Sequence, residues 1–199
     1  LEDVSNYRKA GNGLKIKKTK KNFIKAENII TTYINKLEII YSDINKVLVN
    51  GLSEVINDSC LNINLEDFNG YFDGIIFSPP YANCFDYMEI YKLELWYGDF
   101  VKDYEELKQL RKKSFSSNLN SINGRAFNDD SFAKLLNSMD DNLLWDKKIK
   151  MMLNDYFADF EELLGKLEKA LTSNGFIDVV VGNSAYGGIV FPTDLFIAK

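Results

Sequence analysis

Residues 72–87 read FDGIIFSPPYANCFDY, and how this stretch ends decides the fold. Gly74 to Phe77 is a short apolar run suited to a central parallel strand, and it stops at Ser78-Pro79-Pro80-Tyr81. Proline has no backbone N–H, fixes its own φ and restricts the residue before it. Two in a row make a stiff, extended turn whose carbonyls are not used up by a continuing ladder. A bare Pro-Pro only stops a strand. Flanked by a serine and a tyrosine, it also offers fixed acceptors, a hydroxyl and a flat ring for stacking.

Outward from this corner, helical and strand patterns alternate. From Lys21 to Val49 the apolar positions Phe23, Ile30, Ile34, Leu37, Tyr41, Ile44 and Leu48 recur every three or four residues, which predicts an amphipathic helix ended by Asn50-Gly51. Ser53 to Ile56 reads as a short strand running into Asn57-Asp58-Ser59, and residues 84–110 read as helical. Residues 114–141 are rich in Asn, Ser and Asp and read as a polar insertion with a short helix near Phe132–Leu136. A second amphipathic helix spans Asp146 to Leu171, capped and turned by Thr172-Ser173-Asn174-Gly175. The strongest strand is FIDVVVG, Phe176 to Gly182, broken at Asn183-Ser184 and Gly187-Gly188; Pro192-Thr193-Asp194 starts a last helix. Helices alternating with apolar strands imply an α/β fold with a parallel sheet. Such sheets bind ligands beyond the carboxyl ends of their strands. Asp58-Ser59, Ser78–Tyr81 and Asn183-Ser184 fall at such ends.

Composition narrows the chemistry. The 199 residues are 46% hydrophobic and 27% charged, with no histidine and two cysteines, Cys60 and Cys84. A histidine-based triad and a His-ligated zinc are excluded, no metal pattern remains, and a reduced, cytoplasmic compartment is expected. No apolar run approaches a membrane span, and the first residues do not form a signal peptide. The net charge is −5, yet Tyr7 to Lys25 carries eight basic residues and no acid. Arg8, Lys9, Lys15, Lys17, Lys18, Lys20 and Lys21, with Arg111-Lys112-Lys113, make candidate phosphate contacts. Residues 1–20 otherwise read as a basic, irregular arm broken by Gly11 and Gly13.

The corner and its surroundings resemble the amino-methyltransferases, DNA methylases whose fourth motif is Asp/Asn/Ser-Pro-Pro-Tyr/Phe/Trp. DGIIFSPPYANCFDYMEIYKLELWYGDF, DVSNYRKAGNGLK and VVVGNSAYGGIVFPTDL are similar to one bacterial branch of site-specific enzymes, over nearly the whole chain. The resemblance implies a partial Rossmann-like, S-adenosylmethionine-dependent methyltransferase fold, with residues 1–199 one incomplete catalytic domain and 114–141 a target-recognition element. It implies that a base is flipped out of double-stranded DNA, its amino group held by Ser78 and the Pro79 carbonyl beside Pro80, its ring stacked on Tyr81. Asp58 matches the third motif beside the cofactor's adenine, with Ser59 and Phe77 as neighbours. Asn83, Asp86 and Tyr87 follow the signature as loop braces; Asn183 and Ser184 line the base side or cap a turn. Serine in the motif's first position favours cytosine N4 over adenine N6, and the resemblance to site-specific methylases implies a role in restriction-modification.

The chain departs from this pattern in two respects. The Gly-rich cofactor loop after a first strand is missing, as is the acidic residue that would bind the ribose. AGNG, residues 10–13, follows no expected strand. The Gly-rich loop is therefore expected on an upstream segment or another polypeptide. Two other readings stay open: an RNA or protein-glutamine methyltransferase, and a truncated, non-catalytic DNA-binding or assembly module.

Overall fold

The computed structural model describes residues 7–10, 13–18, 26–46 and 51–199. They fall into two compact units, the first within Leu1–Asn57 and the second essentially Asp58–Lys199.

In the first unit, strands β1 (Tyr7–Ala10) and β2 (Gly13–Ile16) pair with each other. Part of the expected irregular arm is thus a two-stranded sheet. Local pairing of adjacent segments needs no distant partner, so a basic composition does not prevent it. Helix α1 (Ala26–Ile44) occupies the middle of the predicted amphipathic helix; the predicted ends, 21–25 and 47–49, lie outside the described residues. Its apolar residues are exposed, Ile30 at 60% and Leu37 at 45%. The strand expected at Ser53–Ile56 does not form. A strand exists only as part of a ladder, and no described segment pairs with this one.

The second unit is built on helix α6 (Ile149–Ala170), which follows the short helices α2 (Tyr87–Ile90), α3 (Lys92–Tyr97), α4 (Tyr104–Lys113) and α5 (Asp130–Ser138). In α6, Ile149, Met152, Leu153, Tyr156, Phe157, Phe160 and Leu163 are buried at helical spacing. Strand β3 (Phe72–Phe77) runs parallel to β4 (Leu171–Val179), in register from Gly74↔Phe176 to Phe77↔Val179. On the covered face, Phe77 and Val179 pack against the α6 core. On the other face Ile76 is 71% and Phe176 52% exposed, so the pair is covered on one side only. Thr172–Gly175, expected as a turn, lies inside β4 instead. Between the pairs Phe72↔Leu171 and Gly74↔Phe176, β4 advances further than β3, so these residues bulge out of the ladder.

The expected single helical stretch of residues 84–110 is divided. Helix α3 ends at Gly98 and Asp99, the latter at φ 57°, and α4 begins afresh with Asp103 capping the Glu106 N–H. After β4, strands β5 (Ser184–Tyr186) and β6 (Ile189–Phe191) form an antiparallel hairpin. Its turn, Gly187-Gly188, has φ of 54° and 79°, the left-handed pair that tight hairpins require. Helix α7 (Thr193–Ile197) follows where Pro192-Thr193-Asp194 predicted it. Phe132, Phe157, Phe191 and Phe196 bring α5, α6, β6 and α7 together in one aromatic cluster, with neighbouring rings 5.2–6.0 Å apart.

The Asn/Ser-rich segment is partly core. Ser116, Ser117, Asn118 and Ser121 are buried, and two carboxylates inside α6 hold the chain beside them. Asp155 accepts the backbone N–H groups of Asn123, Gly124 and Arg125. Asp159 accepts the Ser116 N–H at 2.9 Å and the Arg125 guanidinium. Replacing Asp155 with Ala leaves three N–H donors without their charged acceptor. This should lower unfolding stability by about 3 kcal/mol, read as a lower urea midpoint at unchanged slope. Glu161→Ala, exposed on the same helix, should change it by less than about 0.5 kcal/mol.

Candidate functional site

Because β3 and β4 are parallel, their carboxyl ends share one edge of the sheet. There the Val180 N–H donates to the Phe77 carbonyl at 3.0 Å, and the Ser78 hydroxyl donates to the Val180 carbonyl at 3.0 Å. Ser78 is exposed, Pro79 buried and Pro80 half-buried. The donor of Ser78 is thus occupied, which leaves the lone pairs of Oγ as acceptors toward solvent. Tyr81 is half-buried and lies over Gly182, where a Cβ would come within 3.3 Å of its ring. A side chain at this position would press on the Tyr81 ring.

The residues after Tyr81 are tightly held. The Asn83 N–H donates to the Tyr81 carbonyl at 2.7 Å, and the Asn83 side chain accepts the Phe85 N–H at 3.1 Å. Cys84 adopts φ 59°. From the β5–β6 hairpin the Tyr186 hydroxyl donates to the Ala82 carbonyl at 2.8 Å and lies 3.3 Å from Cys84 Sγ. Asp86 is 5% exposed. Its carboxylate caps α2 through the Glu89 N–H at 2.9 Å, accepts the Asn120 amide at 3.0 Å and lies 3.0 Å from Arg111 Nε. Arg111 also donates to Glu89 at 2.7 Å. The guanidinium of Arg111 is therefore enclosed by carboxylates, unlike its exposed neighbours Lys112 and Lys113, and is not available to track a phosphate.

Tyrosines gather behind the corner. Burial, aided by the phenols of Tyr81 and Tyr91, raises the pKa of Tyr87; its ring meets Phe85 edge-on at 4.7 Å. Tyr156 is fully buried with its hydroxyl unpartnered among the described residues. Burial, with Tyr87 and Tyr81 nearby, pushes its pKa up. Sequence reasoning missed Tyr156, Tyr186, Gly182 and Asn120. Tyr186 stands in the GNSAYGG stretch, but nothing in that pattern tells that its hydroxyl reaches the chain at Ala82.

The other expected positions fall on other segments of the chain. Asp58 is exposed, and its carboxylate accepts the N–H of the next residue, Ser59, at 2.7 Å. Ser59 Oγ donates to the Lys113 carbonyl at 3.4 Å. An apolar slot of about 350 Å3 adjoins them, lined by Cys60, Phe77, Ser78, Pro79, Pro80 and Leu163 among others. Asn183 is exposed and accepts the Asp194 N–H at 3.2 Å, holding the start of α7. Ser184 is buried with its hydroxyl unpartnered among the described residues. Arg8, Lys9, Lys15, Lys17 and Lys18 lie on or next to β1 and β2; Lys20 and Lys21 lie outside the described residues. Among the described residues no helix is long and apolar enough to cross a membrane.

Comparison with known proteins gives relatives of one kind. The chain is 28% identical over 198 residues to the Type II methyltransferase M.BsoBI of Geobacillus stearothermophilus, covering 87% of this chain and 39% of that protein. It is 27% identical over 158 residues to the Type II methyltransferase M.AvaI of Nostoc sp., covering 73% of this chain and 33% of that protein; M.AvaI of Anabaena variabilis matches equally. The chain thus has Type II DNA methyltransferases as homologues over most of its length, while spanning well under half the length of these curated relatives. No protein-family profile and no solved structure matches it.

The corner also makes a chemical prediction. Burial raises both thiols above the ordinary cysteine range, with Asp159 adding to the effect at Cys60. A raised thiol pKa means less thiolate near neutral pH. Iodoacetamide should therefore label exposed Cys60 slowly, at a rate that rises only at higher pH than for a free cysteine. Buried Cys84 should be labelled only after denaturation. Peptide mass spectrometry checks this, and early labelling of Cys84 would contradict the enclosed corner.

Proposed function

We propose that this chain carries the target-base corner of a site-specific DNA amino-methyltransferase. In this reading a methyl group passes from S-adenosylmethionine to the exocyclic amino group of a flipped base, cytosine N4 rather than adenine N6. The observation that carries it is the hydrogen bond from Ser78 to the Val180 carbonyl. With its proton committed there, Ser78 Oγ can only accept, and an amino group needs an acceptor. The Pro79 carbonyl supplies the second one on a backbone that proline keeps rigid. Holding both amino hydrogens orients the nitrogen lone pair, and Tyr81, fixed over Gly182, stacks the ring. Positioning of this kind lowers the barrier without a histidine or a covalent nucleophile. The proton that the nitrogen sheds after the methyl group has transferred passes to solvent.

S-adenosylmethionine supplies a methyl group activated by a sulfonium centre. The residues present suit one end of it: the apolar slot beside Ser78 offers Phe77, Cys60 and the two prolines to a flat adenine ring, next to Asp58 and Ser59. The β3–β4 pair is then part of a Rossmann-like sheet. The Gly-rich loop that this sequence lacks is supplied by residues outside these 199, on the same or a second polypeptide. Double-stranded DNA is the partner, with Lys112, Lys113 and the basic residues of β1 and β2 neutralising phosphates. The corner loop is braced by Asp86 and Asn83, and a role in restriction-modification agrees with relatives called Type II.

Mass spectrometry of nucleosides from DNA incubated with the chain, the cofactor and the polypeptide that completes the pocket should reveal N4-methylcytosine. N6-methyladenine would move the target to adenine; methylated RNA or protein glutamine, with DNA untouched, would sink the DNA reading. Ser78→Ala should lower the methylation rate about 100-fold, the size of a missing transition-state hydrogen bond. Tyr81→Ala should lower it about tenfold through weaker stacking, with the unfolding midpoint nearly unchanged. Replacing Lys112 and Lys113 with Gln should reduce the slope of log affinity against log salt by about 0.9 for each phosphate no longer neutralised. Arg111→Gln should instead lower stability, because it strips the buried Asp86 of its partner.

A further inference from the structure

Behind the corner loop lies a second pocket, of about 480 Å3, bounded by Cys84 and Asp86 on one side and by Asn118, Asn120, Trp145 and Lys148 on the others. Its chemistry differs from that of the apolar slot. A phosphate does not suit it. Arg111 at its wall is already engaged by Asp86 and Glu89, and Asp146 faces the same space. The amides suit something planar and neutral. Asn118 Oδ1 accepts the Asn120 N–H at 2.8 Å, and Asn120 Nδ2 donates to Asp86 at 3.0 Å. These bonds leave Asn118 Nδ2 as a donor and Asn120 Oδ1 as an acceptor. A donor and an acceptor among the lining residues are the groups that pair with a nucleobase edge. Trp145, 64% exposed, adds an indole face of the kind on which bases stack.

We propose that this pocket takes a nucleobase of the DNA next to the one being methylated and so contributes to sequence selection. The inference rests on the DNA-methyltransferase reading above. The pocket and the corner share one loop, residues 81–86: Tyr81 belongs to the corner, and Cys84 and Asp86 line the pocket. It also gives the Asn/Ser-rich segment a role as a fixed wall, held by Asp155 and Asp159.

Fluorescein-labelled homopolymers of deoxyadenylate, deoxycytidylate and thymidylate, titrated into the full chain, separate the two ideas. Anisotropy reports binding, and tryptophan emission reports stacking. Emission should be quenched as anisotropy rises, and the quench should vanish in Trp145→Phe, which leaves Trp96 as the other tryptophan. Trp145→Ala should weaken binding about tenfold, the size of one base–aromatic stack, and Asn120→Ala should narrow the differences among the homopolymers. If anisotropy rises while emission is unchanged, or the quench persists in Trp145→Phe, the pocket is not a base site and the methyltransferase reading stands. If neither these strands nor duplex DNA raises the anisotropy, DNA is not the partner and both ideas fall.

Discussion

The parallel register of β3 on β4 is the constraint on which the site depends. Residues 78 and 180 are far apart in the chain, and only that ladder places the Ser78 hydroxyl against the Val180 carbonyl. The same edge lays Tyr81 over Gly182 and lets the hairpin after it return Tyr186 to the Ala82 carbonyl. A slip of one residue would turn every side chain at this edge to the opposite face. The bulge at Thr172–Gly175 takes up the length mismatch before the register is set, so it leaves the carboxyl ends undisturbed.

Buried carboxylates fix the loops around that edge. Asp86, Asp155 and Asp159 are each 5% exposed or less, and such groups persist only where charges and N–H donors surround them. Asp86 gathers a helix N-terminus, Arg111 and Asn120; Asp155 gathers three consecutive backbone N–H groups; Asp159 gathers Ser116 and Arg125. Through them a polar, loop-like segment becomes a fixed wall next to the corner. The hydrophobic core supplies cohesion from α6, and these acids determine which loop lies where.

Much of the framework was legible in the sequence. The long apolar stripe of α6 and the run Gly74–Phe77 carry their own periodicity, and Pro-Pro and Gly-Gly mark stops that depend on local φ alone. What failed was whatever needed a partner. Ser53–Ile56 has strand-like residues and no ladder, whereas β1 and β2 pair within a stretch whose glycines suggested an irregular arm. Residues 84–110 look helical throughout, yet Gly98 and Asp99 divide them. Arg111 shares a basic cluster with Lys112 and Lys113 in sequence, but one helical position separates solvent from an acidic interior.

By itself the sequence determined the stiff Ser-Pro-Pro-Tyr corner, the strand that ends in it and the absence of any histidine, because proline geometry, apolar periodicity and composition are local properties. Only the tertiary structure decided where the Ser78 proton goes, what lies beneath Tyr81 and which cations of the Arg111-Lys112-Lys113 cluster face solvent. Each of these depends on a contact between residues far apart in the chain, set by sheet register and buried charge, and neither can be read from neighbours in sequence.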